Sequence, residues 1–381
     1  MDTVKVVILG DVCPNSDNQA LFMEGQAGAV FNDVIGLIRK ADIAVCNLEE
    51  PLTNAKEKVK KSGPSLSAPP ECICALREAG ISVAGLANNH IRDYGDQGVK
   101  DTISACRDAC IEPFGAGETI HQACQMLVKS ANGKRIGFLG ISDNECSYAT
   151  EKRAGAYGYD DLETMDWVQS CKQKCDYLII LYHSGLEHYE YPSPLLQRRG
   201  RKMIEKGADA IICQHSHCLG SMEEYNNGVI VYGQGNCLFA KKGANEKWTT
   251  GCLIALEIED KRHRVDYIPI RMTNGTVSCV SGKDAERILE SFYKRSDQIK
   301  QDGFVQQMWN SWNTNHVCQY FGILLGFGRY RYKMNALFGN TIGKVLLRKK
   351  EIRNIANVIR CESHRESLLH VLNDYEGQEE K

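Results

Sequence analysis

Charge of one sign, long apolar runs and paired cysteines are all scarce in this sequence, and each shortage removes a class of protein. Lys and Arg number 46 against 48 Asp and Glu, a formal net charge of -2 over 381 residues. The chain as a whole therefore gives no electrostatic reason to expect a nucleic-acid partner, and none is expected. No stretch of about 18 apolar residues occurs, which argues against a membrane-spanning helix. The closest run, Tyr320 to Phe327 (YFGILLGF), is far too short. The amino terminus, MDTVKVVILGD, reads as a buried strand almost at once and lacks the basic, apolar and small-residue segments of an export signal. The 17 cysteines are odd in number and lack the CxxC spacing of a zinc knuckle. Several, such as Cys46, Cys213 and Cys252, sit in apolar strand contexts and read as reduced, buried small hydrophobes. The expectation is a cytoplasmic protein, at most peripheral at the inner membrane surface.

What is present is an ordinary globular composition, 43% hydrophobic and 25% charged, with room for one large domain or a domain plus an extension. From residue 4 to about 270, short apolar runs alternate with helical patterns. Strands are expected at Val4–Leu9, Ile43–Cys46, Val83–Leu86, Ile136–Ile141, Tyr177–Tyr182, Ala210–Cys213, Val229–Tyr232, Cys252–Ile258 and Val265–Arg271. Runs such as VVIL, YLIILY and DAIIC are continuously apolar, the pattern of strands covered on both faces. Helical patterns fall at about 29–40, 70–79, 98–111, 161–174 and 193–207. Such alternation implies an α/β domain, with an antiparallel portion where turns alone separate the last strands. The character changes after about residue 272, which divides the chain into 1–275 and a helical, basic extension, 276–381. There Lys283 to Ile299 and Gly339 to Leu372 read as helices, and residues 377–381 as a frayed tail. From Arg329 to Arg365, ten basic residues (Arg329, Arg331, Lys333, Lys344, Arg348, Lys349, Lys350, Arg353, Arg360 and Arg365) face only Glu351 and Glu362.

Only ten histidines occur, and His90, His183, His215 and His217 lie just past expected strand ends. So do Asp11, Glu49 and Asn89. Strand carboxyl ends line the ligand crevice of an open α/β sheet, so many separate strands deliver candidate ligands to one rim. Taken singly, each has an ordinary reading. Asp11 could cap a turn, Glu49 could be a solvated loop carboxylate, Asn89 suits a turn, and a lone His183 could be a core histidine. His215 and His217 are the sharpest pair. Alternation in an extended segment puts both on one face, about 6.6 Å apart, a spacing that serves two neighbouring metal ions. Imidazole, carboxylate and amide donors without thiolate suit Mn, Zn or Fe better than Ca or Mg.

The ordered motifs GD (Gly10, Asp11), NLE (Asn47 to Glu49), ANNHxxDYG (Ala87 to Gly95), HSGLEHY (His183 to Tyr189), HSH (His215 to His217) and YGQGN (Tyr232 to Asn236) resemble the CapA, or poly-γ-glutamate capsule synthesis, family. That family is a branch of the calcineurin-like metallophosphoesterases, and the resemblance covers about residues 4–240. It implies a four-layer αββα sandwich and two divalent transition metals. Asp11, Glu49 and His217 would hold one; Glu49 as bridge, with Asn89, His183 and His215, would hold the other. His90 resembles the family's general acid, with Asp93 orienting its imidazole. Glu187 matches a family glutamate that acts as outer-sphere base or substrate contact. Cys13 stands where the wider superfamily has a histidine, so one ion has a ligand fewer or uses Cys13 itself. Ser184 and Ser216 stand where the family generally has Trp and Pro, which should widen the pocket.

The function these residues imply is metal-dependent hydrolysis of a phosphoester, or an amide, linked to capsule, exopolysaccharide or poly-γ-glutamate biosynthesis. The alternative is a non-catalytic polymer- or synthase-binding component of a capsule assembly complex. The expected partners are an anionic phosphoester or polymer substrate and capsule or exopolysaccharide synthesis proteins. The basic carboxyl-terminal region reads either as a solvated helix face or as a contact for an anionic membrane surface or polymer.

Overall fold

The computed structural model describes residues 3–15, 17–260, 262–327, 346 and 348–378. It contains two compact units, Met1–Gln306 and Gln307–Lys381.

In the first unit, alternation along β1 (Val4–Cys13) sets the architecture. Val4, Val6 and Ile8 enter one core with Ile136, Phe138, Ile179 and Ile212. Val7 and Leu9 enter another with the helical Phe22, Phe31 and Ile38. Because successive side chains point to opposite faces, each such strand must be covered twice, which is why it is apolar without a break. Fully burying a Val, Ile or Leu contributes about 1.5–3 kcal/mol, and both faces of these strands do so.

Two sheets result. The larger joins β1, β2 (Ile43–Leu48), β3 (Val83–Gly85), β4 (Glu112–Phe114), β13 (Asn236–Phe239), β14 (Thr250–Glu259), β15 (Arg262–Thr273) and β16 (Thr276–Cys279). Its order is β16-β15-β14-β1-β2-β3-β4, with β13 also paired to β1. The smaller joins β6 (Leu127–Ala131), β7 (Lys134–Ser142), β9 (Tyr177–His183), β10 (Ala210–Gln214), β11 (Met222–Tyr225) and β12 (Gly228–Val231) in the order β11-β12-β10-β9-β7-β6. The short β5 (Ala116–Gly117) and β8 (Gly155–Ala156) pair with each other. A third core packs Leu139, Ile180 and Ile211 against Val168, Leu196 and Met203 of two helices. Helices, sheet, sheet and helices follow one another, the expected αββα sandwich.

The expected strands are all present. The antiparallel portion is the β14–β15–β16 meander, together with β11 and β12. The helical pattern at 29–40 is split into Ala27–Phe31 and Val34–Lys40, with Asn32 in the left-handed region (φ 41°) at the break. The boundary placed after residue 275 falls between β15 and β16, inside the first unit. Helix Gly282–Gln298 sends Ile288 and Phe292 into the core between the sheets, so sandwich packing continues past that point.

In the second unit, the described part of the helical stretch expected over 339–372 forms two helices, Lys349–Arg360 and Glu362–Gln378, with Cys361 extended between them (φ -77°, ψ 118°). Residues 377 and 378 complete the last helix instead of fraying; 379–381 lie outside the described residues, as do Arg329, Arg331, Lys333 and Lys344. Among the described residues no helix is long and apolar enough to cross a membrane.

Candidate metal centre

Strand register assembles the site. Asp11 lies across from Asn47 of β2 on one side and Asn236 of β13 on the other, at an irregularity in β1. Asp11 therefore sits inside β1 rather than past its end, and a bulge of this kind re-aims a side chain. In the second sheet Ser142, His183 and Gln214 share a level. His183 is the last residue of β9, and His215 follows the last residue of β10. Glu49 directly follows β2, and Asn89 lies four residues past β3.

Asp11, Glu49, Asn89, His183, His215 and His217 are all buried, none more than 9% exposed. His183 Nε2 lies 3.1 Å from Asn89 Oδ1, 3.3 Å from Glu49 Oε1 and 3.1 Å from His215 Nδ1. One imidazole proton satisfies at most one of these, so lone pairs converge there. His217 Nδ1 is 3.3 Å from Asp11 Oδ2 and 2.9 Å from Asn236 Oδ1. The donor atoms of Asp11, Glu49 and His183 lie within 4.8 Å of one another, as do those of Glu49, His215 and His217. Glu49 belongs to both groups, so the donors form one continuous cluster with the glutamate at its centre.

Asn47 explains the orientation. Its Nδ2 donates to Asp11 Oδ1 (2.8 Å) and to Glu49 Oε2 (2.5 Å). The companion oxygens, Asp11 Oδ2 and Glu49 Oε1, are buried without a hydrogen-bond partner among the described residues. Buried carboxylate oxygens are ordinarily paired, since leaving one bare costs about 1–3 kcal/mol or more. Two bare oxygens facing three imidazoles are what a divalent cation would complete, and nitrogen with oxygen donors suits a first-row transition ion. Burial, then the charge of Asp11, pushes the Glu49 carboxyl well up, against the opposing Asn47 hydrogen bond. Burial, then the neighbouring imidazoles, pushes His183 well down, and His215 shifts down by burial and His217. For His217 burial acts downward, yet the adjacent Asp11 carboxylate, followed by the Asn236 amide oxygen, outweighs it and the pKa is raised.

The histidine pair meets for a reason other than the one expected. His215 and His217 both adopt left-handed backbone (φ 87° and 51°), and their ring centroids are 6.0 Å apart. The segment is a bend, not an extended strand, and holding non-glycine residues there costs on the order of 1–3 kcal/mol each. Trp248 and Phe239 pack on the His217 ring at 4.6 and 5.2 Å. Ser184 and Ser216 are both buried and donate, to Asp143 Oδ2 and to the Cys218 carbonyl. Cys13 is buried against Glu50, and burial followed by nearby carboxylates raises its thiol well up. Its Sγ is not among the clustered donor atoms. Glu187 is half exposed, with His188 Nε2 4.0 Å away; it stands at the rim.

Beside the cluster, His90 Nδ1 is 2.7 Å from Asp93 Oδ2. Asp93 does more than orient a ring. It also accepts from Leu66 N (2.7 Å), pairs with the buried Lys61 ammonium, and its carbonyl accepts from Val59 N. Lys61 Nζ lies 3.2 Å from His90 Nδ1 and 3.4 Å from the Asn89 carbonyl. This lysine escaped the sequence reading because it sits among exposed lysines in a segment without regular structure. Asn47 and Asn236 were visible only as motif members, and Glu145, 3.7 Å from His215 Nε2, carried no signal. Replacing Lys61 with Met should cost about 3–5 kcal/mol, since it leaves a buried carboxylate without its cation. It should also open 53–67 to proteases. Denaturant midpoints and limited proteolysis check this, and an unchanged midpoint would mean that the pair contributes nothing.

A family model described as the bacterial capsule synthesis protein PGA_cap matches residues 5–241, and the chain belongs to that family. The matched span contains all nine residues singled out from sequence. The chain is 28% identical over 307 residues to the capsule biosynthesis protein CapA of Bacillus anthracis, covering 77% of this chain and 74% of that one. It is 28% identical over 252 residues to the PGA biosynthesis protein CapA of Bacillus subtilis (strain 168), covering 65% of each, just under two thirds of that relative. Among solved structures, a hypothetical protein from Thermus thermophilus aligns at a TM-score of 0.46 and 13% identity, over 73% of this chain and 100% of that one.

Proposed function

We propose that this chain is a dinuclear metal-dependent hydrolase acting on a phosphoester, or an amide, of an anionic substrate in capsule or poly-γ-glutamate biosynthesis. The observation that carries the reading is the pair of bare carboxylate oxygens, Asp11 Oδ2 and Glu49 Oε1, buried among His183, His215 and His217. Two divalent transition ions (Mn, Zn or Fe) held there by those residues and Asn89 would supply Lewis-acid polarisation and water activation. The chain's own groups do the rest. Asn47 fixes both carboxylates, so no reorganisation is needed as charge develops. Asp93 holds His90 through Nδ1, which leaves Nε2 to deliver a proton to the leaving oxygen or nitrogen. Glu187, at the rim, meets the substrate or its water.

Elemental analysis of the purified protein should find close to two transition ions per chain. Metal-dependent cleavage of an aryl phosphodiester or a γ-glutamyl amide should vanish in His217→Ala. A wild type that binds no metal sinks the reading. One observation favours the non-catalytic alternative, a polymer- or synthase-binding component: Cys13 faces Glu50 and leaves the Asp11 side without the superfamily's histidine. Full metal content with no turnover on either substrate class selects that alternative.

A further inference from the structure

The second unit has an unusual surface. Among the described residues, the first 306 expose five large apolar side chains, whereas the far shorter remainder exposes nine. Such a concentration marks an interaction surface. Helix Lys349–Arg360 (KKEIRNIANVIR) has no buried residue. Ile352, Ile355, Ala356 and Ile359 fall at i, i+3, i+4 and i+7, one apolar stripe. Lys349, Arg353 and Arg360, at i, i+4 and i+11, return to a single flank of that stripe. From Arg348 to Arg360 five cations face one acid, Glu351. Ile359 is 48% exposed, and Leu368, Leu369, Val371 and Leu372 of the following helix are 39–52% exposed.

We propose that helix Lys349–Arg360, with the leucine-rich segment 368–372, lies in the headgroup boundary of an anionic phospholipid membrane. An apolar stripe with a cationic flank fits that boundary, where acyl chains take the stripe and lipid phosphates take the Lys and Arg side chains. A soluble anionic polymer would satisfy the cations and leave the exposed isoleucine and leucines in water. An antiparallel two-fold pairing with a second copy would set the cationic flank against itself. The membrane satisfies both halves of the surface.

The test is sedimentation of the intact protein with vesicles rich in phosphatidylglycerol and with pure phosphatidylcholine vesicles. Binding should be confined to the anionic vesicles and weaken with salt. The variant Lys349→Gln/Arg353→Gln/Arg360→Gln should lose about fivefold in partitioning per cation removed, from about 1 kcal/mol for each Lys or Arg. Ile355→Asp/Ile359→Asp should abolish binding, with a melting curve matching the wild type to show that both variants fold. Equal binding to phosphatidylcholine, full binding by the Asp variant, or capture by soluble poly-γ-glutamate without vesicle binding would overturn the proposal.

Discussion

Glu49→Ala is expected to empty both metal positions at once, whereas His217→Ala leaves one of them filled. Glu49 is the only residue common to the two donor groups, and its Oε1 is the bare oxygen nearest His183. Asn47→Ala, which removes only the amide that orients the carboxylates, should weaken binding by about 10–100-fold, and loss of the shared ligand should exceed that. The pH dependence has a definite sign. The raised Glu49 pKa means that its carboxyl holds a proton more tightly in the metal-free fold, while His183 and His215, shifted down, favour the neutral imidazole that a metal needs. A metal therefore competes with a proton at Glu49, and affinity falls as pH drops. In the metal-free protein, the protonated carboxyl contributes stability present below the ordinary value of 4.5 and lost as pH rises through the folded value. The histidines act oppositely, losing their contribution as pH falls below 6.5. Glu49→Gln separates the two: without metal it should melt above the wild type at neutral pH. Elemental analysis, calorimetry in buffers of differing ionisation enthalpy and melting curves make the check. A Glu49→Ala protein that keeps one ion refutes the shared-ligand arrangement.

Gly10→Ala should destabilise the fold by about 3 kcal/mol and disable the site with it. A Cβ at Gly10 would lie 2.1 Å from the Gly235 carbonyl oxygen, and at Gly251 2.2 Å from that of Asn236. Gly235 between them has φ +75°, a conformation other residues rarely adopt. Backbone, not a pliable side chain, blocks each position. The glycines let β1 exchange β14 for β13 along its length, so that Asp11 comes to lie opposite Asn236. Gly28, helical and with nothing within 4 Å of its Cβ, is the control, and alanine there should be neutral or stabilising by about 0.5–1 kcal/mol. Denaturant midpoints compare the two, and equal midpoints would show that the seam is not tight.

Most of the sandwich was legible because its strands, covered on both faces, leave unbroken apolar runs such as VVIL and YLIILY. The edge strands β6 and β16 escaped because they alternate or are short, and β13 because it pairs over only three residues. At the site, strand ends drew attention to the right residues. The backbone details were not readable. A bulge at Gly10 and Asp11 and two left-handed histidines are tertiary outcomes, and the extended-strand rule reached the correct neighbours by the wrong geometry. Lys61 had no periodicity to betray it. The helical pattern at 29–40 gave no sign of its break at Asn32, where a left-handed residue interrupts an otherwise consistent stripe.

One amide nitrogen, that of Asn47, clamps Asp11 and Glu49 together. The two halves of the centre consequently share a single act of preorganisation. Because that amide already holds both carboxylates in the metal-free fold, its loss would loosen both positions at once. The centre therefore has a common point of failure, and one amide-to-methyl change would degrade both ion affinities in step.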